Sequence, residues 1–221
     1  MNGRIDVISD AICPWCYIGK RQMERALASL APEGLSFEVH WRPFQLNPDM
    51  PKAGVERAAY RAAKFGSAER SAQLDAQVAE AGRKVGLEFR HDLMQRTPNT
   101  VDAHRLIRLA EQEAVQDAVV ENLFRAYFIG GKDIGDPDML AGIGADCGID
   151  RERVAAFLAG EAERQEVLAE DIAARRAGLQ GVPAFALDGH ILFTGAVPAD
   201  TFAEALREAH RVLSKRSGRA A

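Results

Sequence analysis

The chain has 221 residues, 47% of them hydrophobic and 27% charged, with a net charge of -4. That length buries a full core in one large domain or two small ones without covalent staples, so the three cysteines are not a disulfide scaffold. Acids and bases are interspersed, which gives no footprint for nucleic acid, and no stretch approaches the roughly 20 apolar residues of a membrane span. From Met1 the chain passes straight into strand-like alternation without an apolar run of signal-peptide length, which predicts a cytoplasmic protein.

In chain order, Ile5, Val7 and Ile8 read as a short buried strand ending at Ser9-Asp10. Cys13-Pro14-Trp15-Cys16 follows and opens a helix. Pro14 sits where a first turn tolerates proline, and Cys16, Met23, Leu27 and Leu30 share one helical face, closed by Pro32 and Gly34. Phe37, Val39 and Trp41 alternate with Glu38, His40 and Arg42, a half-buried strand stopped by Pro43. Strand, helix and strand within about 40 residues form a βαβ unit with parallel strands.

The Pro43, Pro48 and Pro51 segment marks a boundary, beyond which every periodic segment to residue 178 is helical. One stripe is Leu74, Val78, Ala81 and Val85. Asn99 or Thr100 caps the helix of Val101, Leu106, Ile107 and Ala110. Val115, Val119, Leu123, Phe124, Tyr127 and Phe128 lie on a helix ending at Gly130-Gly131. Asp136-Pro137 starts a short helix, Asp150 caps the one bearing Val154, Phe157 and Leu158, and Val167, Leu168 and Ile172 form the last stripe. Ala184 to Leu187 and His190 to Phe193 flank Asp188-Gly189, a strong hairpin signal. Asp200 then begins a helix with Phe202, Leu206, Ala209 and Leu213 on one side, and the tail Lys215-Arg216-Ser217-Gly218-Arg219 reads as a solvated terminus.

The chemistry concentrates at the two closely spaced thiols. A helix N-terminus offers unpaired N-H groups and partial positive charge to a thiolate, which favours the thiolate at Cys13 and makes its sulfur both nucleophile and leaving group. Cys13, in the first turn, is expected to be reached by solvent and to attack, and the inward-facing Cys16 to resolve. Zinc would need two further ligands in a recognisable spacing, and the chain offers only Cys147 and five scattered histidines.

With this motif, a β-α-β half and a β-β-α half separated by helices, the chain resembles the DsbA-like oxidoreductases, a thioredoxin fold with a large all-helical insertion, and within them the FrnE-type branch. The resemblance rests on Asp10 to Gly19 around the cysteines, His40-Trp41-Arg42-Pro43-Phe44-Gln45-Leu46-Asn47-Pro48, Pro98-Asn99-Thr100 with Ala103-His104-Arg105, Leu123-Phe124-Arg125-Ala126-Tyr127-Phe128, and Gly181-Val182-Pro183-Ala184-Phe185. It implies one α/β domain over 1–221, with the thioredoxin part at 1–50 and 179–214 and the insertion at 51–178. It also implies that Cys13 is the nucleophile, Cys16 the resolving thiol, and Pro183 a cis-proline facing them. Val182 would then present its backbone to an extended substrate beside Pro14 and Trp15. Related glutathione-dependent enzymes, the kappa-class transferases and 2-hydroxychromene-2-carboxylate isomerases, are similar around Trp41 to Phe44. They place a serine where Cys13 stands, and a charged pair where this chain has Gly195-Ala196-Val197-Pro198.

The expected function is therefore a thiol-disulfide oxidoreductase acting on disulfide- or thiol-containing proteins or small molecules, with no bound cofactor or metal and with glutathione as a candidate thiol co-substrate. A glutathione-dependent isomerase or transferase, and a peptide-binding holdase, are the alternatives. Direction and oligomeric state are not legible, since about 30 mV of potential already shifts a two-electron couple by about 1.4 kcal/mol. Asp10 is read either as a proton acceptor for the thiols or as a turn cap. Trp15 reads as an exposed aromatic at the cleft, Cys147 as buried and inert, and His104 as a core or interdomain histidine. Leu123, Phe124, Tyr127 and Phe128 read as core, with a substrate groove as the alternative.

Overall fold

The computed structural model describes residues 3–216. Strand β1 (Arg4–Ser9) lies at the centre of a four-stranded sheet, parallel to β2 (Glu38–Pro43) and antiparallel to β5 (Ala184–Leu187), which pairs antiparallel with β6 (His190–Thr194). Flanked on both sides, β1 is buried from Ile5 to Ser9. Its one carboxylate, Asp6, accepts from the Arg42 guanidinium at 3.0 Å and from Arg4 Nε at 3.1 Å. The β5-β6 hairpin turns through Asp188 and Gly189, whose φ values of 48° and 81° are the two positive values this tight turn requires.

Helix α1 (Pro14–Leu30) begins on its proline, runs into a single 3-10 turn (Ala31–Glu33), and ends at Gly34 with φ 77°. It packs on α9 (Ala199–Arg216), which also contacts β5 and β6. Phe185, Phe193 and Phe202 interlock there with ring centroids 4.7–5.2 Å apart. Residues 217–221 of the basic tail lie outside the described residues.

Between the two halves come α2 (Arg57–Phe65), α3 (Ala68–Lys84), α4 (Val101–Gln112), α5 (Gln116–Phe124), α6 (Pro137–Asp146), α7 (Arg151–Ala159) and α8 (Arg164–Arg176). Asp136 and Asp150 accept backbone N-H groups of the first turns of α6 and α7. At α4 the capping oxygen belongs to Asn99, which accepts from Val101 N at 3.0 Å, while Thr100 makes no side-chain cap. Two details differ from the sequence expectation. A short ladder, β3 (Val55–Glu56) with β4 (Arg96–Thr97), interrupts the helical block, and two residues per strand are too few to leave a periodic signal. Ile172 is 47% exposed rather than part of an apolar stripe, because α8 turns Asp171 inward to accept from Gln45 N at 2.8 Å and Arg175 Nε at 2.9 Å. Helices α4, α5 and α8 all contact β2, so the insertion is seated on the sheet edge next to the CxxC strand. Among the described residues no helix is long and apolar enough to cross a membrane.

The insertion is locked by Arg105, whose side chain is 1% exposed. Its guanidinium donates to the carbonyls of Ala162 (2.7 Å), Leu158 (3.2 Å), Phe157 (2.7 Å) and Gly160 (2.8 Å), and to Asp102 at 2.9 Å. One side chain thus ties α4 to the α7-α8 corner. Arg105→Ala strands these acceptors and should cost about 3–5 kcal/mol of stability, the range for breaking a buried pair. Urea denaturation checks this; an unchanged midpoint and slope would contradict the assigned role.

Candidate active site

Cys13 occupies the N-cap position of α1 with extended backbone. Its N-H donates to the Asp10 carbonyl at 2.9 Å, and its own carbonyl accepts from Cys16 N at 3.0 Å. This turn brings the two thiols into contact, and both are free. The expectation of a solvent-reachable Cys13 is corrected: the residue is 3% exposed, because the Val182 loop covers it and the thiol donates to the Val182 carbonyl at 3.5 Å. Trp15, 42% exposed, is the member of the motif that faces out. Cys13 nevertheless lines a cleft, which Cys16 does not. Cys16 is 1% exposed and touches Cys13, the Ser9 side chain and the Asp10 backbone. Burial pushes its thiol well above the ordinary range, and the neighbouring Cys13 adds to the effect.

The Val182-Pro183 peptide is cis. Pro183 is buried, and its carbonyl accepts from Gly195 N at 2.7 Å. It approaches α1 at Gly19, where a Cβ would stand 3.1 Å from Pro183 Cγ and 3.2 Å from Phe185 Cζ. The glycine after Tyr17-Ile18 is thus a packing requirement of the cysteine helix against the proline loop.

The cleft has a volume of about 330 Å³. It is lined by Ile12, Cys13, Pro14, Trp15, Gly181 and Val182, and by Arg57, Tyr60, Arg61 and Lys64 of α2. Asp75 of α3 accepts from both Arg57 (2.8 Å) and Arg61 (2.7 Å), and Lys64 donates to the neutral Asn47 at 2.7 Å and Tyr60 at 3.2 Å. Three cations therefore line the cleft with one carboxylate. Burial holds His91 below its ordinary pKa despite Asp75, with Arg57 and Arg61 adding to the shift. Tyr127 and Phe128 are both core and cleft wall, 4% and 1% exposed, on a π-helical turn (Arg125–Ile129) that continues α5.

Behind the sulfurs, Asp10 is fully buried; its Oδ1 faces Ile12 N of its own turn at 3.5 Å, and its Oδ2 accepts from Leu46 N at 2.7 Å, tying that turn to the chain after β2. His104 is 3% exposed, with Nε2 3.5 Å from Asp10 Oδ1. It lines a second, small cavity with Ser9, Trp41, Arg42, Leu123 and Phe124. Cys147, at the C-terminal cap of α6, is only half-buried rather than buried; it accepts from the Asn122 amide at 3.0 Å and does not line the cleft. Ser9 and the basic face of α2 were not anticipated. The latter had a signal, Arg57, Arg61 and Lys64 at helical spacing, whereas Ser9 carries none, since a strand-end serine has no distinguishing pattern.

The sequence matches the DSBA-like thioredoxin domain family over residues 4–207. The uncharacterized protein YwbO of Bacillus subtilis is 26% identical over 212 residues, 94% of this chain and 98% of YwbO. Among solved structures, the probable DsbA oxidoreductase SCO1869 of Streptomyces coelicolor superposes with a TM-score of 0.84 at 32% identity, over 94% of this chain and 89% of that one. The fold alone is shared with 2-hydroxychromene-2-carboxylate isomerase (TM-score 0.65, 15% identity, 99% and 100% coverage). It is likewise shared with the cytosolic disulfide reductase DsbM of Pseudomonas aeruginosa (0.63, 18%, 98% and 100%), which is also solved with GSH. A thioredoxin-type sheet, a CxxC at the first helix and a family match across nearly the whole chain converge: this chain belongs to the DSBA-like thioredoxin domain family.

Proposed function

We propose that the protein is a thiol-disulfide oxidoreductase that exchanges disulfides through Cys13 and Cys16. The observation that carries this reading is the asymmetry of two touching free thiols: Cys13 opens onto the cleft, while Cys16 is sealed behind it. The Cys13 thiolate attacks one sulfur of a substrate disulfide, and the first substrate thiolate leaves. Cys16 then attacks the Cys13 sulfur of the mixed disulfide, the second substrate thiolate leaves, and a Cys13-Cys16 disulfide remains. Two electrons have passed from the protein to the substrate, and a thiol such as glutathione returns them in reverse steps.

The raised pKa of Cys16 supports the division of roles, because a thiol that resists ionisation behind the cleft leaves the first attack to the sulfur that lines it. Val182 closes over Cys13, and its backbone stands where an extended substrate segment would pair. Trp15 and Pro14 form the exposed lip. The cationic wall of Arg57, Arg61 and Lys64 suits carboxylate-bearing thiols, in keeping with DsbM having been solved with GSH. DsbM is a cytosolic reductase, which supports the cytoplasm as the compartment and reduction as the direction.

A glutathione-dependent isomerase or transferase needs no second thiol, so removing Cys16 separates the readings. Cys16→Ser is expected to accumulate disulfide-linked protein or glutathione on Cys13, seen on non-reducing gels and by mass spectrometry, while Cys13→Ser accumulates none. A Cys16→Ser protein that traps nothing and keeps full activity on a disulfide-free substrate would establish the other class. Iodoacetamide at neutral pH should modify Cys13 ahead of Cys16, localised by peptide fragmentation; modification of Cys16 first would reverse the roles.

A further inference from the structure

If disulfide exchange is the reaction, the resolving step raises a question the cleft does not answer. Burial holds the Cys16 thiol well above its ordinary range, and at 1% exposure bulk solvent does not reach it to take the proton. Its contacts are Cys13, the Asp10 backbone and the Ser9 side chain. Ser9, 5% exposed, also lines the small cavity, whose volume of about 10 Å³ is at the lower limit for admitting one water molecule. The other polar walls of that cavity are His104 and Arg42. His104 Nε2 is buried, makes no hydrogen bond, and lies 3.5 Å from Asp10 Oδ1, beyond hydrogen-bond length. An imidazole nitrogen left unpaired beside a buried cavity whose walls are mostly apolar calls for an explanation, and such pairs often close up only when the reaction begins. Asp10 is itself fixed by the Leu46 N-H, so the imidazole faces an anchored carboxylate.

We propose that His104, with Asp10 as its positioning residue, receives the Cys16 proton through the Ser9 hydroxyl and the small cavity while Cys16 attacks the mixed disulfide. The proposal rests on the exchange reading above. In the step, the Cys16 S-H bond breaks and its proton passes along this path to His104, while the sulfur's electron pair forms the bond to Cys13 Sγ. The bond from Cys13 to the substrate sulfur breaks, its pair leaving with the substrate thiolate, which recovers a proton from solvent as His104 returns its own. No outside oxidant or reductant enters. The charged and titratable groups around the path are Asp10, Cys13, Arg42 and Tyr127. Arg42 donates to Asp6 at 3.0 Å and lies 3.4 Å from Glu111, and the Tyr127 hydroxyl donates to the Arg96 carbonyl.

Ellman's reagent tests this in a Cys147→Ala background, since the first chromophore released reports attack by Cys13 and the second reports resolution by Cys16. His104→Gln keeps the shape and loses the base. The expected result is an unchanged first phase and a second phase slowed by roughly 100-fold at neutral pH, the lower part of the range for general base catalysis. The deficit should shrink in alkaline buffer, where solvent base deprotonates Cys16 directly. Ser9→Ala should act in the same direction, and it serves if His104→Gln does not fold. A second phase at the unsubstituted rate, both phases slowed together, or a slow second phase that stays slow in alkali would overturn the relay. A protein with His104 and Ser9 intact that releases only one equivalent would instead overturn the exchange reading beneath it.

Discussion

The structure depends on keeping Cys16 out of water while it touches Cys13. A thiol sealed at 1% exposure resists ionisation, and the neighbouring Cys13 adds to the effect. Several features serve this contact. Pro14 starts the helix immediately after Cys13, so Cys16 falls one turn on and inward. Gly19 lets Pro183 press on the same helix, and this brings the Val182 carbonyl over the Cys13 sulfur. β1, buried along all but its first residue, fixes Ser9 and Asp10 directly beneath.

The helical insertion positions this centre as well as roofing it. Lys20 of α1 is 2% exposed and reaches Asp117 of α5 at 3.0 Å, with Glu24 and Glu121 as further partners. Burial alone would lower its pKa, but Asp117 and Glu24 outweigh it and the group is held above its ordinary value. Tyr17 donates to Glu121 at 2.8 Å, and Trp41 Nε1 donates to the same Asp117 at 3.1 Å. The cysteine helix, the β2 edge and the insertion therefore meet in one polar junction inside an aromatic cluster, in which Tyr17 stacks on Phe124 at 4.9 Å. The same insertion supplies the α2 cations facing Cys13, so the part that steadies the thiols also sets the charge a substrate meets.

Much of this was legible in the sequence because it rests on local rules. The period-two strands, the stripe of Cys16, Met23 and Leu30, the Asp188-Gly189 hairpin and the Asp136 and Asp150 caps each follow from a few neighbouring residues. What sequence could not give was decided by contacts distant along the chain. Cys13 is shielded by a loop 169 positions away, Asp171 turns inward to serve Gln45 across 126 positions, and Arg105 is buried because the α7-α8 corner offers it carbonyls. Asp10 illustrates the middle ground. Its place three residues before Cys13 marks it for attention, but only the fold shows one oxygen accepting from the distant Leu46 N-H and the other lying 3.5 Å from both Ile12 N and His104 Nε2.

The central claim is that the two motif thiols form one redox pair with the third cysteine outside it, and it is tested most directly by oxidation of the intact protein. The reduced chain is treated with a small excess of oxidised glutathione, quenched in acid and analysed by mass spectrometry and peptide mapping. The account predicts the loss of two hydrogens, a disulfide joining Cys13 to Cys16, a transient glutathione adduct on Cys13, and an unmodified Cys147. A stable adduct with no internal disulfide, or a bridge that includes Cys147, would contradict it.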